Sequence, residues 1–219
     1  MTDLYLAAQK QATALRDTPV ALLFSGGKDA VAMADLWLKY HEGPKRWVFF
    51  YFVDGLEIVE SVLRHYEQRW NITVDRRPCH ETVSLMSRAN NNGRKYKFAD
   101  VEKNYKAEVG IDWSVTGIKR CDSLARRGML KALGAEGIDH KQKRVYPVID
   151  WSNKQALAYC KMNKLPLGVN YTAGWDVSFW IPNDEYLIWL RGRYPDDFKK
   201  IVDTFPQYGD AVFRRERGL

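Results

Sequence analysis

Apolar positions along this chain switch between helix-spaced stripes and short unbroken runs. Leu4, Ala7, Ala8 and Leu15 lie on one helical face, which predicts an amphipathic helix over Asp3–Arg16. Val20–Phe24 is a continuous apolar run that ends in two glycines, as a short buried strand does. Helical spacing returns over Asp29–Tyr40 and stops at Gly43-Pro44. Trp47–Val53 is apolar and aromatic throughout, which suits a central parallel strand. Asp54-Gly55-Leu56-Glu57 has the form of a capped helix start, with the helix running to about Asn71. Ile72–Asp75 reads as a third, shorter strand.

Strand–helix–strand–helix–strand implies right-handed parallel crossovers and an open α/β sheet with helices on both faces. The middle breaks the rhythm. Arg88–Lys106 is polar, dense in Arg and Lys, and contains Asn90-Asn91-Asn92-Gly93, so it reads as a loop or insertion. A fourth strand is expected at Ile111–Thr116, a helix at Ser123–Leu133, and a fifth strand at Val145–Ile149. Ser152-Asn153-Lys154-Gln155 is a capping box for a helix that ends near Asn163, before Pro166. Beyond Gly168 the chain is aromatic and mixed, with helices expected around Asp184–Arg193 and after Pro195. The reading divides the chain into a five-stranded nucleotide-binding domain, 1–167, and a helical extension packed on it, 168–219.

Composition narrows the class. A length of 219 residues with 46% hydrophobic content supports one core of ordinary size. No apolar run is long enough to cross a membrane, and Met1-Thr2-Asp3-Leu4 lacks the features of a secretory leader. Cys79, Cys121 and Cys160 are odd in number and far apart, which favours a reducing cytoplasm over a disulfide framework. The net charge of +7 suits anionic partners, although such a charge also serves solubility. Trp175, Trp180 and Trp189 near the C-terminus read as core or interface rings.

The chemistry concentrates where the first strand meets its helix. Phe24-Ser25-Gly26-Gly27-Lys28-Asp29 is an anion cradle: the glycines admit a close backbone turn, and the amides of a helix N-terminus favour negative charge. The Ser25 hydroxyl can donate to a phosphate and Lys28 adds a point charge. A carboxylate at Asp29 beside a polyphosphate suggests Mg²⁺ between them, the alternative being a plain Gly-rich turn capped by Asp29. The spacing fits neither a Walker A loop nor a dinucleotide-binding G-x-G-x-x-G. A second basic segment, Gly117-Ile118-Lys119-Arg120, leads through Cys121, Asp122 and Ser123 into a helix carrying Arg126. It can clamp an anion or be a solvated helix start.

Ser25-Gly26-Gly27-Lys28-Asp29 resembles the S-G-G-x-D-S/T pyrophosphate loop of the adenine nucleotide α-hydrolase-like superfamily, which includes the N-type ATP pyrophosphatases and the phosphoadenosine phosphosulfate (PAPS) reductase family. Ala30 stands where Ser or Thr is usual. The Gly117–Ser123 segment is similar to that family's G-[IV]-R-R-x-[DE]-S segment, with Lys119 for the first Arg. Asp54-Gly55 resembles its D-T-G turn near the adenosine, and Tyr146-Pro147-Val148-Ile149-Asp150-Trp151-Ser152 its h-P-L-x-D-W-T segment. The resemblance implies strand order 3-2-1-4-5, with the ligand crevice flanked by the loops after the first and fourth strands. It implies ATP, PAPS or a related adenine nucleotide with Mg²⁺. Expected nucleotide contacts are Phe24 to Lys28, Asp54, Gly55, Gly117, Lys119, Arg120, Ser123 and Arg126. Lys28, Asp29 and Arg120 are the expected catalytic residues.

Departures from the family redirect the activity. No cysteine follows Cys160, and Gly174–Ser178, where the family carries a cysteine-bearing segment, has none. The expectation is therefore no thiol attack on sulfate and no iron–sulfur cluster. The other thiols offer little: Cys121 reads as a small buried side chain, and Cys79-His80 lacks the spacing of a familiar metal motif. The first reading is cleavage of ATP between its α and β phosphates, with transfer of the adenylyl group to an acceptor. A nucleobase or nucleic acid is a candidate acceptor, since Arg88–Lys106 and Arg214–Arg217 could track phosphates, although both could equally be solvated surface. Similar short members without the redox cysteines occur in phages, so a phage setting in a host cytoplasm is implied. The alternatives are a PAPS- or adenylylsulfate-utilising enzyme served by a partner protein's thiol, and a catalytically silent nucleotide-binding module. A homodimer is compatible with each.

Overall fold

The apolar runs become strands, and the glycine turn becomes the link from the first strand to its helix. The computed structural model describes residues 2–89, 93–134, 136–175 and 183–217. Its elements are α1 (Thr2–Ala14), β1 (Val20–Leu23), α2 (Lys28–Tyr40), β2 (Lys45–Tyr51), α3 (Glu57–Trp70), β3 (Val74–Pro78), α4 (His80–Ala89), α5 (Phe98–Val109), β4 (Trp113–Thr116) and α6 (Leu124–Leu130). They continue with β5 (Ile138–Asp139), β6 (Arg144–Val145), α7 (Asn153–Met162), α8 (Val169–Thr172), α9 (Asp184–Arg193), α10 (Pro195–Thr204) and α11 (Gln207–Glu216).

One sheet of six strands runs β3-β2-β1-β4-β6-β5. Every neighbouring pair is parallel except β5 with β6. The expected five-strand order is corrected accordingly. Its fifth strand, Val145–Ile149, shrinks to Arg144–Val145, and the buried Val148 and Ile149 lie in a turn. Apolar residues buried in a turn imitate a strand when read as a run. The added edge strand β5 spans two residues, too few to carry a period.

The polar stretch Arg88–Lys106 is also corrected, because α5 occupies much of it. Asn90–Asn92 lie outside the described residues. The inward face of α4 carries Thr82 and Ser87 and shows no clean apolar stripe, while α5 buries Glu102 beside a stripe of Phe98, Val101, Tyr105 and Val109. These buried polar groups are satisfied: Thr82 Oγ1 donates to Phe52 O at 2.6 Å, and Ser114 Oγ donates to Glu102 Oε1 at 2.6 Å.

Alternation along β2 distributes the layers. Trp47 meets Trp70 of α3 on one face, while Phe50 meets Phe98 and Tyr105 of α5 on the other. The segment after α7 closes over α3, where Tyr66 Oη donates to Pro166 O at 2.6 Å. Helices α9, α10 and α11 follow, tied to the body by Phe205, stacked on Phe52 with centroids 4.1 Å apart, and by Asp197, which accepts from the Glu57 and Ile58 amides at 2.8 and 2.9 Å. Trp175 and Trp189 pack around Tyr186, whereas Trp180 lies outside the described residues.

Candidate functional site

β1 and β4 are hydrogen-bonded neighbours with Leu23 opposite Thr116, yet the chain leaves β1 towards β2 on the other side. Such a reversal opens a crevice at the carboxyl ends of the two strands. The loops that enter it are Phe24–Gly27, leading into α2, and Gly117–Ser123, leading into α6.

Phe24 anchors the first loop from the core side. Its amide donates to Val48 O at 2.8 Å, and its ring packs edge-on against Trp47, Tyr66 and Trp70. The ring of this expected nucleotide contact is therefore held in the core. Gly26 turns with φ +71°, and a Cβ there would lie 3.0 Å from Val62 Cγ1. The Ser25 hydroxyl accepts from the Gly27 amide at 3.4 Å. Gly27 is the N-cap of α2 and offers no side-chain cap. The Lys28 amide instead donates to the Tyr171 hydroxyl of α8, at 3.1 Å. The Lys28 side chain is buried, with Nζ 3.5 Å from Asp29 Oδ2.

The second loop is pressed onto the first. A Cβ on Gly117 would stand 2.8 Å from the backbone carbonyl of Asp29, so this glycine permits loop–loop contact. Lys119 is wholly buried and bridges the loops, with Nζ 2.5 Å from Asp29 Oδ2 and 2.8 Å from Asp122 Oδ1. Its amide also donates to Asp122 Oδ2 at 2.9 Å. Burial pushes the Asp122 carboxyl upward, but its hydrogen bonds from Lys119, with the charges of Lys119 and Arg126, hold it below the ordinary carboxylate range. Asp29, expected to hold Mg²⁺, faces two lysines in this structure.

Several expected contacts serve the scaffold. The Arg120 guanidinium pairs with Asp150 and donates to the carbonyls of Leu130 and Gly134, pinning the ends of the α6 segment to the turn after β6. The guanidinium expected to be catalytic is thus engaged in contacts within the fold. Ser123 caps α6, its hydroxyl accepting from the Arg126 amide at 3.1 Å. Arg126 pairs with Asp122 at 2.8 Å. Asp54 and Gly55 form an exposed turn after β2, where Gly55 has φ +63° and its carbonyl accepts from Lys200 of α10.

The structure thus gathers Ser25, Gly26, Gly27, Lys28, Asp29, Gly117 and Lys119, and adds Asp122 and Tyr171. Asp122 was within reach of sequence reasoning, three residues after Lys119 on the same short turn. Tyr171 left no sequence signal, since it lies 143 residues from Lys28.

The cysteines differ from expectation in one respect: Cys121 is exposed, with Sγ donating to Trp151 O at 3.1 Å. Burial pushes the Cys79 thiol up to about 11 and the Cys160 thiol up to about 12, so both are protonated at neutral pH. Cys79, His80 and Glu81 bring ligand-type atoms within 4.8 Å of one another. In that group Glu81 Oε2 accepts from Cys79 Sγ at 3.0 Å and lies 2.9 Å from His80 Nδ1. They adjoin a cleft of about 500 Å³ lined by His80, Ser84, Arg88, Lys95, Tyr96 and Phe205 among others.

An open α/β sheet with a glycine-turn cradle at its reversal point defines a class of phosphate-binding proteins. The profile of the phosphoadenosine phosphosulfate reductase domain matches residues 19–206, and the chain belongs to that family. Three solved structures share the fold. The U34-tRNA thiolase NcsA from Methanococcus maripaludis, described with its 4Fe–4S cluster, has 14% identity and a TM-score of 0.51, over 96% of this chain and 78% of that one. The PAPS reductase from Candida auris, in a phosphate complex, has 15% identity and a TM-score of 0.50, over 76% and 84%. The NH3-dependent NAD synthetase from Campylobacter jejuni, in complex with nitrate, has 8% identity and a TM-score of 0.54, over 97% and 93%. No curated protein sequence matches.

The thiolase corrects the expectation that an iron–sulfur cluster is foreign to this protein. A chain of this fold is described with a 4Fe–4S cluster, so the fold itself does not exclude one. In this chain the three cysteines sit apart, after β3, in the turn after β4 and within α7. No step proposed below runs through a cluster.

Proposed function

We propose that the protein binds an adenine nucleotide in the β1–β4 crevice and cleaves ATP between its α and β phosphates. The observation that carries this reading is the pair of buried lysines, Lys28 and Lys119, at the N-terminus of α2 beside the Gly26-Gly27 turn. An acceptor oxygen, nitrogen or sulfur attacks the α phosphorus. The bond to the bridging oxygen breaks, and pyrophosphate leaves with that electron pair into the cradle. Lys28 stabilises the charge that accumulates on the leaving group, and the α2 amides add their dipole. Lys119 holds Asp29 in place and keeps its negative charge compensated near the phosphates. A nucleobase or nucleic acid suits the acceptor role because Arg88, Arg94 and Lys95 are exposed near the cleft beyond β3 and α11 carries exposed Arg214 and Arg215.

Incubation with ATP and candidate acceptors, assayed for AMP and pyrophosphate, tests the reading. Pyrophosphate release is expected from the wild type and a drop of at least a hundredfold from Lys28→Ala, the scale of losing one preorganised charge contact. Release that survives in Lys28→Ala would remove the loop from the reaction. Family membership favours a second reading, use of PAPS or adenylylsulfate with a thiol supplied by a partner protein. It calls for a larger thermal shift with PAPS than with ATP.

A further inference from the structure

We infer that the Tyr171 hydroxyl is a ligand of the bound phosphates and supplies the cradle with a hydroxyl that position 30 lacks. The inference rests on the nucleotide-binding reading above and extends it to a residue outside both loops.

Three observations meet at this side chain. Tyr171 Oη lies 3.1 Å from the Lys28 amide, the first donor of α2 and one that an anion at this helix end would seek. A Cβ on Gly27 would stand 3.2 Å from the same oxygen, so the phenol lies against the glycine turn itself. The Lys28 ammonium is 5.8 Å from the Tyr171 ring centroid, which sets one wall of the pocket around that charge. The next amide along, that of Asp29, makes no hydrogen bond among the described residues.

A phenol suits this position. Its oxygen accepts the Lys28 N–H while its rotatable O–H turns towards an arriving anion. Ala30, one helical position further on, is buried and has no hydroxyl to offer. Placing the hydroxyl on α8 also links nucleotide binding to the segment after α7, which is held over α3 by Tyr66 and Pro166.

The test is Tyr171→Phe, read by calorimetric titration with inorganic pyrophosphate, ATP and adenosine. The inference expects pyrophosphate and ATP to bind on the order of tenfold more weakly, the scale of one hydrogen bond to a charged group, with adenosine binding unchanged. Adding Ala30→Ser to Tyr171→Phe should recover much of the loss. A merely structural tyrosine would weaken all three ligands together and gain nothing from Ala30→Ser, and that outcome overturns the inference. Unchanged or tighter pyrophosphate binding in Tyr171→Phe also overturns it, by making the phenol a bystander or a competitor. If Tyr171→Phe does not fold, Ala30→Ser alone serves, with tighter pyrophosphate binding expected and no change overturning the inference. Failure of the wild type itself to bind pyrophosphate or ATP rejects the nucleotide reading, and the inference with it. A wild type that binds while the variants behave otherwise rejects the inference alone.

Discussion

At the scale of single residues, burial decides which polar groups the fold can bear in which charge state. His41 is buried, stacks on Trp37 with centroids 5.0 Å apart, and donates Nε2–H to Leu15 O at 2.8 Å. Burial, aided by the positive charge of Lys45, keeps its pKa below the ordinary value of 6.5 despite the bond to Leu15. The unfolded chain therefore binds the proton more readily. Stability is fully present above about pH 6.5 and falls as pH drops through the region between the unfolded and folded pKa values. Urea unfolding from pH 7.5 to 5 should show this loss, and His41→Gln should flatten it. An identical slope in His41→Gln would assign the loss to other groups. The residues of the cradle obey the same constraint, since buried Lys28 and Lys119 are tolerable because Asp29 and Asp122 stand beside them.

At the scale of elements, the carboxyl-edge loops are fastened by helix ends. The N-cap of α3 is Leu56, which has no capping oxygen, and Asp197 of α10 takes that role from 140 residues away. Asp197→Ala should cost about 1–2 kcal/mol by chemical denaturation and loosen α10 from the Gly55 turn. A cost within experimental error would mean that water replaces the cap. Such long-range caps explain what could and could not be read from sequence. The Asp54–Glu57 pattern places the start of α3 two residues early, since the N-cap is Leu56 and not Asp54, and the cap that completes it comes from α10. Likewise α4 turns Thr82 and Ser87 inward and leaves Leu85 and Met86 exposed, so it has no apolar stripe to find, whereas α5 carries one, Phe98, Val101, Tyr105 and Val109, set among charged residues. The glycine turn was legible because it is local: Ser25 to Asp29 are consecutive, between a strand and a helix. The surroundings of Arg120 were not, for the opposite reason. A guanidinium in a basic loop reads as an anion clamp, and the carbonyls of Leu130 and Gly134 that occupy it cannot be seen in the residue string.

At the scale of the whole molecule, a buried charge pair fastens α5 to the sheet. Glu102 of α5 meets Arg144 of β6 and accepts from Ser114 of β4, with both charged side chains under a tenth exposed. Glu102→Gln would strand the Arg144 charge, at an expected cost of about 3–5 kcal/mol. The double variant Glu102→Met with Arg144→Met should be far milder, because no charge is left unpaired. Comparison of the two urea midpoints checks this, and equal losses would show that the pair acts through shape alone. The sheet margins bear on assembly. One margin is β3, where Arg76 is paired with Glu60 and Glu67, Arg77 with Glu108, and Pro78 ends the strand. The other is β5, two residues long. Neither margin presents the long, flat ladder that another chain could extend. Copies of this protein should therefore resist fibril-like stacking through the sheet, and any lasting dimer would be built from helix faces, leaving the mouth of the crevice a matter of side-chain contacts and not of shared strands.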